Sequence, residues 1–318
     1  MRRIRDILSS AALEMVLVVL CVVLAATAPN FLTAENLLNV LRNVSMQGLI
    51  ALGMTMVIIA GEIDLSVGSM VAFSGCLTAW ITGWCTSLGV PIPLAVTAAA
   101  LISLVTGFLL GTLTGLLRTR YQVPSFITTL ALLTGLTGAA ELITNGFPLT
   151  PFPAWYNFIG GGYLFGVPFP ALLFLLAFAC VHTLMNYTTF GRAVYAVGGN
   201  AEAARLSGID VGHIKTLVLA ITAALAAASG IMQSSEIMSG TATTAKGWEL
   251  DVIAAVIIGG TSLSGGVGRV WGTMVGVLFL GVIINGMTLL NVSEYWQNVV
   301  RGVLILLAVL MNRLQKKQ

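Results

Sequence analysis

Apolar runs free of charged residues succeed one another along almost the whole chain, separated by short polar connectors. A helix crosses about 30 Å of hydrocarbon in roughly 20 residues. Runs near that length predict spans at 11–28, 44–60, 67–84, 94–117, 124–143, 169–184, 217–232, 248–260, 270–290 and 299–311. The expected fold is all-α, a polytopic transmembrane helix bundle of about ten spans in which residues 1–318 form a single domain. At 1.5 Å per residue the segment 248–260 covers only about 20 Å. It reads as a broken or re-entrant helix whose crossing is completed by the Gly-rich loop after it. Composition removes the alternative of a soluble globular domain: 57% of the residues are hydrophobic and 8% are charged.

Basic residues set the orientation, because they concentrate on the cytoplasmic side of short loops. Arg2, Arg3 and Arg5 place the N-terminus inside; Arg118 and Arg120 then fall inside, as do Arg192, Arg205, Lys215 and Arg269. Arg313, Lys316 and Lys317 bring the C-terminus to the same side, leaving Arg42, Lys246 and Arg301 on or near the outer side. The basic start and the Ala26-Thr27-Ala28 ending of the first run imitate a signal peptide. An uncleaved first span fits a multi-span bundle better.

Small residues imply close helix packing. Gly107, Gly111 and Gly115 repeat every four residues, as do Gly272 and Gly276, a spacing that lets backbones approach. A partial internal repeat is also present: Val57-Ile58-Ile59-Ala60-Gly61 leads to Leu65-Ser66, and Val256-Ile257-Ile258-Gly259-Gly260 leads to Leu263-Ser264. Such repeats occur in transporters, whose substrate route runs between related halves. Cys21, Cys76, Cys85 and Cys180 are scattered through apolar runs, and His182 and His213 stand apart. No metal-ligand spacing, cofactor motif or catalytic constellation is formed, so the chain does not read as an enzyme. Leu263-Ser264-Gly265-Gly266 spells part of an ATPase signature, yet no Gly-Lys pair exists to build a phosphate-cradling loop.

One short stretch breaks the hydrocarbon pattern. In residues 202–208, Asn200 can cap a helix, Glu202 sits at the positive end of its dipole, Arg205 lies near the negative end, and Gly208 can take the left-handed turn that ends it. Two turns of polar helix are unstable alone in water. By residue pattern the stretch is either a handle for another protein or a solvated connector.

Three motifs, in order, bear a resemblance: Gly53-Met54-Thr55 through Glu62-Ile63-Asp64-Leu65-Ser66-Val67-Gly68-Ser69; Gly191-Arg192-Ala193-Val194-Tyr195-Ala196-Val197-Gly198-Gly199-Asn200; and Glu249-Leu250-Asp251-Val252 with Gly259-Gly260-Thr261-Ser262-Leu263-Ser264-Gly265-Gly266. Together they resemble the ribose-type permeases of bacterial ABC importers. The resemblance implies a permease in the bacterial inner membrane that pairs with a second permease subunit. It also implies a cytoplasmic ABC ATPase and a periplasmic binding protein for a sugar, with no nucleic acid. The stretch Asn200, Glu202, Ala203, Ala204, Arg205, Leu206 and Gly208 is similar to the coupling helix that fits a cleft on the ATPase. One departure is Glu62, where many such permeases carry Gly.

For a neutral sugar the pathway candidates are Asp64, Ser66, Glu249 and Asp251, since carboxylates accept hydrogen bonds from hydroxyls. Asp64 lies in the first repeat loop, while Glu249 and Asp251 open the short eighth span on the outer side. Asp64 and Asp251 fit a helix-capping role as well. An ion-coupled secondary sugar transporter is the competing class, and it would call for an acidic or basic relay in mid-span.

Overall fold

The computed structural model describes residues 12–315. Ala11, Arg2, Arg3, Arg5, Lys316 and Lys317, on which part of the span and orientation reading rests, lie outside that range. The elements in chain order are α1 (Ala12–Thr27), α2 (Ala34–Ile59), α3 (Val67–Ser87), α4 (Ile92–Arg120) and α5 (Ser125–Thr144). A 3-10 turn (Ala154–Asn157) and α6 (Phe158–Gly161) precede a two-stranded antiparallel hairpin, β1 (Tyr163–Leu164) and β2 (Val167–Pro168). Then come α7 (Phe169–Tyr187), α8 (Thr189–Gly199), α9 (Ala201–Leu206), α10 (Val211–Glu236), α11 (Trp248–Ile258), α12 (Val270–Leu289) and α13 (Glu294–Gln315).

The fold is an all-α bundle, and a helix occupies each of the predicted apolar segments. Among the described residues six helices, α2, α4, α5, α7, α10 and α12, are long and apolar enough to cross a membrane by length and composition. Several helices outrun the predicted runs: α2 begins at Ala34 rather than at Val44, α10 at Val211 rather than at Leu217, and α13 at Glu294 rather than at Val299. Helix α8 is a further helix between the predicted sixth and seventh spans.

Helices α2 and α10 form the centre. Ile50, Leu52, Met54, Met56 and Ile59 of α2 are all fully buried, so this helix is enclosed on every side in its second half. Against it, α10 presents Thr222, which a Cβ at Gly53 would strike, and Ser229, whose hydroxyl donates to Met46 O at 2.9 Å. The predicted glycine stripe of α4 packs on the same helix. A Cβ at Gly107 would lie 2.7 Å from the Ala227 methyl, and one at Gly111 2.5 Å from the Leu219 carbonyl oxygen. Gly276 meets the Ala255 carbonyl, and Gly272 meets that of Gly259, closing α12 onto α11 in the same way. Outward, α1, α4 and α5 expose Val16, Val19, Leu101, Val105, Leu109, Phe126 and Leu130, a surface suited to lipid.

Polar side chains inside the bundle bond locally. Thr78 and Thr82 of α3 donate to the carbonyls of Ser74 and Thr78 at 2.8 and 2.7 Å, so their hydroxyls impose no unpaired group on the core.

Candidate functional site

Helix α9 is short, exposed and locally determined. The Asn200 side chain accepts the Ala203 N–H at 3.0 Å, satisfying one orphan donor of the first turn. At the other end, Gly208 has φ +84°. Gly208 N–H donates to Arg205 O, and Ile209 N–H donates to Ala204 O, both at 3.0 Å; these are the two bonds of a Schellman stop. Glu202 and Arg205 pair across one turn at 2.6 Å. The guanidinium holds the Glu202 carboxyl below its ordinary range, by hydrogen bond first and by charge second. Ala204 is buried against the bundle, whereas Leu206 is 76% exposed. An exposed leucine on a capped polar helix is an unpartnered knob. Beside α9, an open groove of about 590 Å³ runs between α8 and α10, lined by Phe190, Ala193, Ile209, His213 and Leu217.

The two repeat segments share one turn geometry. Glu62 N–H donates to Val57 O at 3.0 Å, and Thr261 N–H donates to Val256 O at 3.1 Å. Gly61 and Gly260 hold φ +80° and +91° between them. Only a residue without a Cβ takes this conformation at little cost. The turns also touch, since Gly266 N–H donates to Ile59 O at 2.8 Å. Gly198, at the end of α8 and two residues before the α9 cap, packs against that same carbonyl and lies within reach of Gly266 N. The short helix therefore hangs directly from the junction of the repeats.

Beyond Gly61 the chain is non-helical through Leu65, and Ser66 returns to helical dihedrals as the N-cap of α3. Helix α5 satisfies its backbone: Ser125 Oγ accepts the Ile63 N–H at 3.3 Å, and Thr129 Oγ1 accepts the Leu65 N–H at 3.1 Å. Non-helical backbone inside a membrane protein requires such partners. Asp64, 2% exposed, accepts the Ser66 N–H at 2.8 Å and the Ser66 hydroxyl at 2.6 Å. Because Ser66 caps α3 without a side-chain bond of its own, Asp64 organises that helix start.

The climb of residues 62–66 brings together two groups that sequence reading keeps apart. A Cβ on Gly68, in the first turn of α3, would strike Glu249 Oε2 in the first turn of α11 and would lie 2.9 Å from Ala245 O. The N-termini of α3 and α11 thus meet inside the bundle, with Glu249 against Gly68, two residues beyond Ser66. Asp251 differs. It does not cap α11, whose N-cap is Gly247 at φ +86°; it is buried and lies 3.5 Å from Arg301 Nη1 of α13.

Sequence reading missed a buried charge cluster. Glu62, 5% exposed, receives Arg118 Nε at 2.9 Å, Lys215 Nζ at 2.5 Å and Ser125 Oγ at 2.5 Å. The available signal was an acid and two bases all assigned to span ends on one side. Their separation, 56 and 153 residues from Glu62, hid the contact. Arg301 was likewise visible only as an outer-side charge. Among the described residues no group of His, Cys, Asp and Glu could hold a metal ion.

A buried helical bundle with paired interrupted helices and a projecting polar helix has the form of a membrane permease component. The chain belongs to the family described as branched-chain amino acid transport system / permease component, which matches residues 36–309. It is 43% identical to the ribose import permease protein RbsC of Bacillus subtilis (strain 168), over 93% of this chain and 90% of that protein. It is 36% identical to the L-arabinose ABC transporter permease protein AraH of Azospirillum brasilense, over 98% and 90%. With the xylose transport system permease protein XylH of Escherichia coli (strain K12) the identity is 35%, over 91% and 87%. No solved structure matches the chain.

Proposed function

We propose that the chain is the permease subunit of an ABC importer for a monosaccharide in the bacterial inner membrane. A separate cytoplasmic ATPase supplies the energy, and a periplasmic binding protein delivers the sugar. The observation that carries this reading is the end-to-end similarity to permeases named for ribose, L-arabinose and xylose. The ion-coupled alternative draws no support from the family or from those relatives.

In this reading α1–α5, α7 and α10–α13 make about ten crossings with both termini inside, and a second permease subunit completes the pathway. Helix α9 faces the cytoplasm and seats in the ATPase, with Leu206 as its apolar contact and the Glu202–Arg205 pair at its rim. The meeting point of α3 and α11 lies on the sugar route. There Asp64, Ser66 and Glu249 offer acceptors and a hydroxyl to a polyol, and two helix N-termini add positive dipole ends. Asp251 supports the same region through its pair with Arg301.

The test is uptake into proteoliposomes carrying this chain, its ATPase and its binding protein. Labelled ribose, arabinose and xylose are compared with leucine, because the family description names amino acids. ATP-dependent uptake of a pentose is expected. Uptake driven by an ion gradient without the ATPase, or uptake of leucine alone, overturns the reading.

A further inference from the structure

Glu62 is the one buried carboxylate that joins four segments: the repeat turn, the end of α4, the start of α5 and the start of α10. Its two cationic partners are themselves withdrawn from water, with the Lys215 side chain 12% and that of Arg118 31% exposed. Glu62 begins the non-helical segment that leads to Asp64, Ser66 and the N-terminus of α3. Lys215 sits in the second turn of α10, just after the turn that ends α9. The cluster thus connects the helix assigned above to ATPase docking with the segment assigned to the pathway.

We propose that Glu62 is a positioning residue that latches the cytoplasmic mouth of the pathway by neutralising Arg118 and Lys215, so that the ends of α4 and α10 close over residues 62–66. With the carboxylate in place, two positive charges share one counter-charge across short contacts, in surroundings that screen them weakly. Without its charge, the Arg118 guanidinium and the Lys215 ammonium face each other with no anion between them, and like charges in a poorly solvated site repel strongly. The segments they terminate separate, and the non-helical residues 62–66 lying between them lose their cover. An ordinary stabilising ion pair makes a different forecast: each deletion costs something, and the costs accumulate.

The inference rests on the orientation and pathway proposed above, but its first readout does not need transport. The four cysteines are replaced, Ser69→Cys is introduced in the first turn of α3, where the native serine is 7% exposed, and a membrane-impermeant maleimide is added to inside-out vesicles holding the permease alone. Glu62→Gln keeps the shape and removes the charge; labelling is expected to rise about fivefold or more, the lower end of coupling between linked sites. Adding Lys215→Gln to that variant removes the repulsion, and labelling is expected to return to within about twofold of the starting rate. Lys215→Glu, which sets two carboxylates on Arg118, raises labelling by the same logic and serves where Glu62→Gln fails to accumulate. Unchanged labelling in the charge variants, or a double variant labelled as fast as or faster than Glu62→Gln, overturns the latch. In the reconstituted importer, Glu62→Gln should also lower sugar moved per ATP hydrolysed. A wild-type complex that moves no sugar would refute the importer reading instead, leaving the labelling result to judge the latch.

Discussion

Gly198 offers a sharp test of the connection between α9 and the repeats. A methyl group there would overlap the Ile59 carbonyl oxygen outright and lie 2.6 Å from Gly266 N. The carbonyl cannot retreat freely, because it accepts the Gly266 N–H at 2.8 Å. Gly198→Ala must therefore either push α8 off the junction or break that bond. Overpacking of this kind costs about 1–3 kcal/mol and a lost hydrogen bond about 1 kcal/mol, so by either route the expected destabilisation is about 1–3 kcal/mol. The neighbouring Gly199 is the matched control, since a Cβ there meets nothing within 4 Å. Alanine at that position removes backbone freedom from the unfolded chain and should be neutral, or stabilising by up to about 1 kcal/mol. Thermal unfolding in detergent reads the contrast: Gly198→Ala should melt about 5 °C or more below Gly199→Ala. Uptake in the reconstituted importer should fall with the first substitution only. Equal melting temperatures for the two variants would refute the close packing on which the connection rests.

Three further outcomes are expected. Arg205→Gln should let the Glu202 carboxyl titrate at higher pH, measurable by carboxyl NMR. Since the pair depresses the folded value, its contribution is present above the unfolded pKa and is lost as pH falls through the depressed one, and ATPase docking should weaken in that acidic window. Asp251→Ala should lower the amount of folded protein recovered, because it strands Arg301 against α11; Asp251→Ala with Arg301→Met should restore it, and equal recovery of both variants and the wild type would show that the pair is immaterial. A reporter fused after Gln318 should be cytoplasmic, and periplasmic activity would reverse the tail and the assignment of α11 as a crossing.

How much could be read from sequence follows the range of the forces involved. The cap at Asn200 and the left-handed stop at Gly208 are set by residues within one turn of each other, and both were legible. The same holds for Gly107, Gly111 and Gly115, whose period alone marks a packing face. The start of α2 was misplaced because Asn36, Asn39, Arg42 and Asn43 look like a connector. In the fold Asn36 bonds Asn285 of α12, and Arg42 bonds Tyr163 and pairs with Glu236, so tertiary partners sustain a helix that local polarity argues against. Helix α8 answers to none of the predicted spans, and Thr188 caps it through the Gly191 N–H at 3.3 Å. Neither the Glu62 cluster nor the approach of α3 to α11 could be read locally, since each depends on a non-helical segment whose path is fixed by hydroxyls of α5.

The enclosure of α2 carries a consequence for biogenesis. A helix with polar residues through its first half and almost no lipid-facing surface in its second gains little from entering a bilayer alone, yet α10, which covers much of it, starts at Val211, about 150 residues after α2 ends. At roughly 5–20 residues per second the ribosome needs on the order of 8–30 s to deliver that partner. During this interval α2 must stay beside the translocon, a chaperone or a transient neighbour, and the centre of the bundle closes late. Site-specific crosslinking of stalled nascent chains would show it: contacts from Leu52 to the insertion machinery should persist until α10 emerges, and contacts to lipid alone before then would exclude a delayed closure.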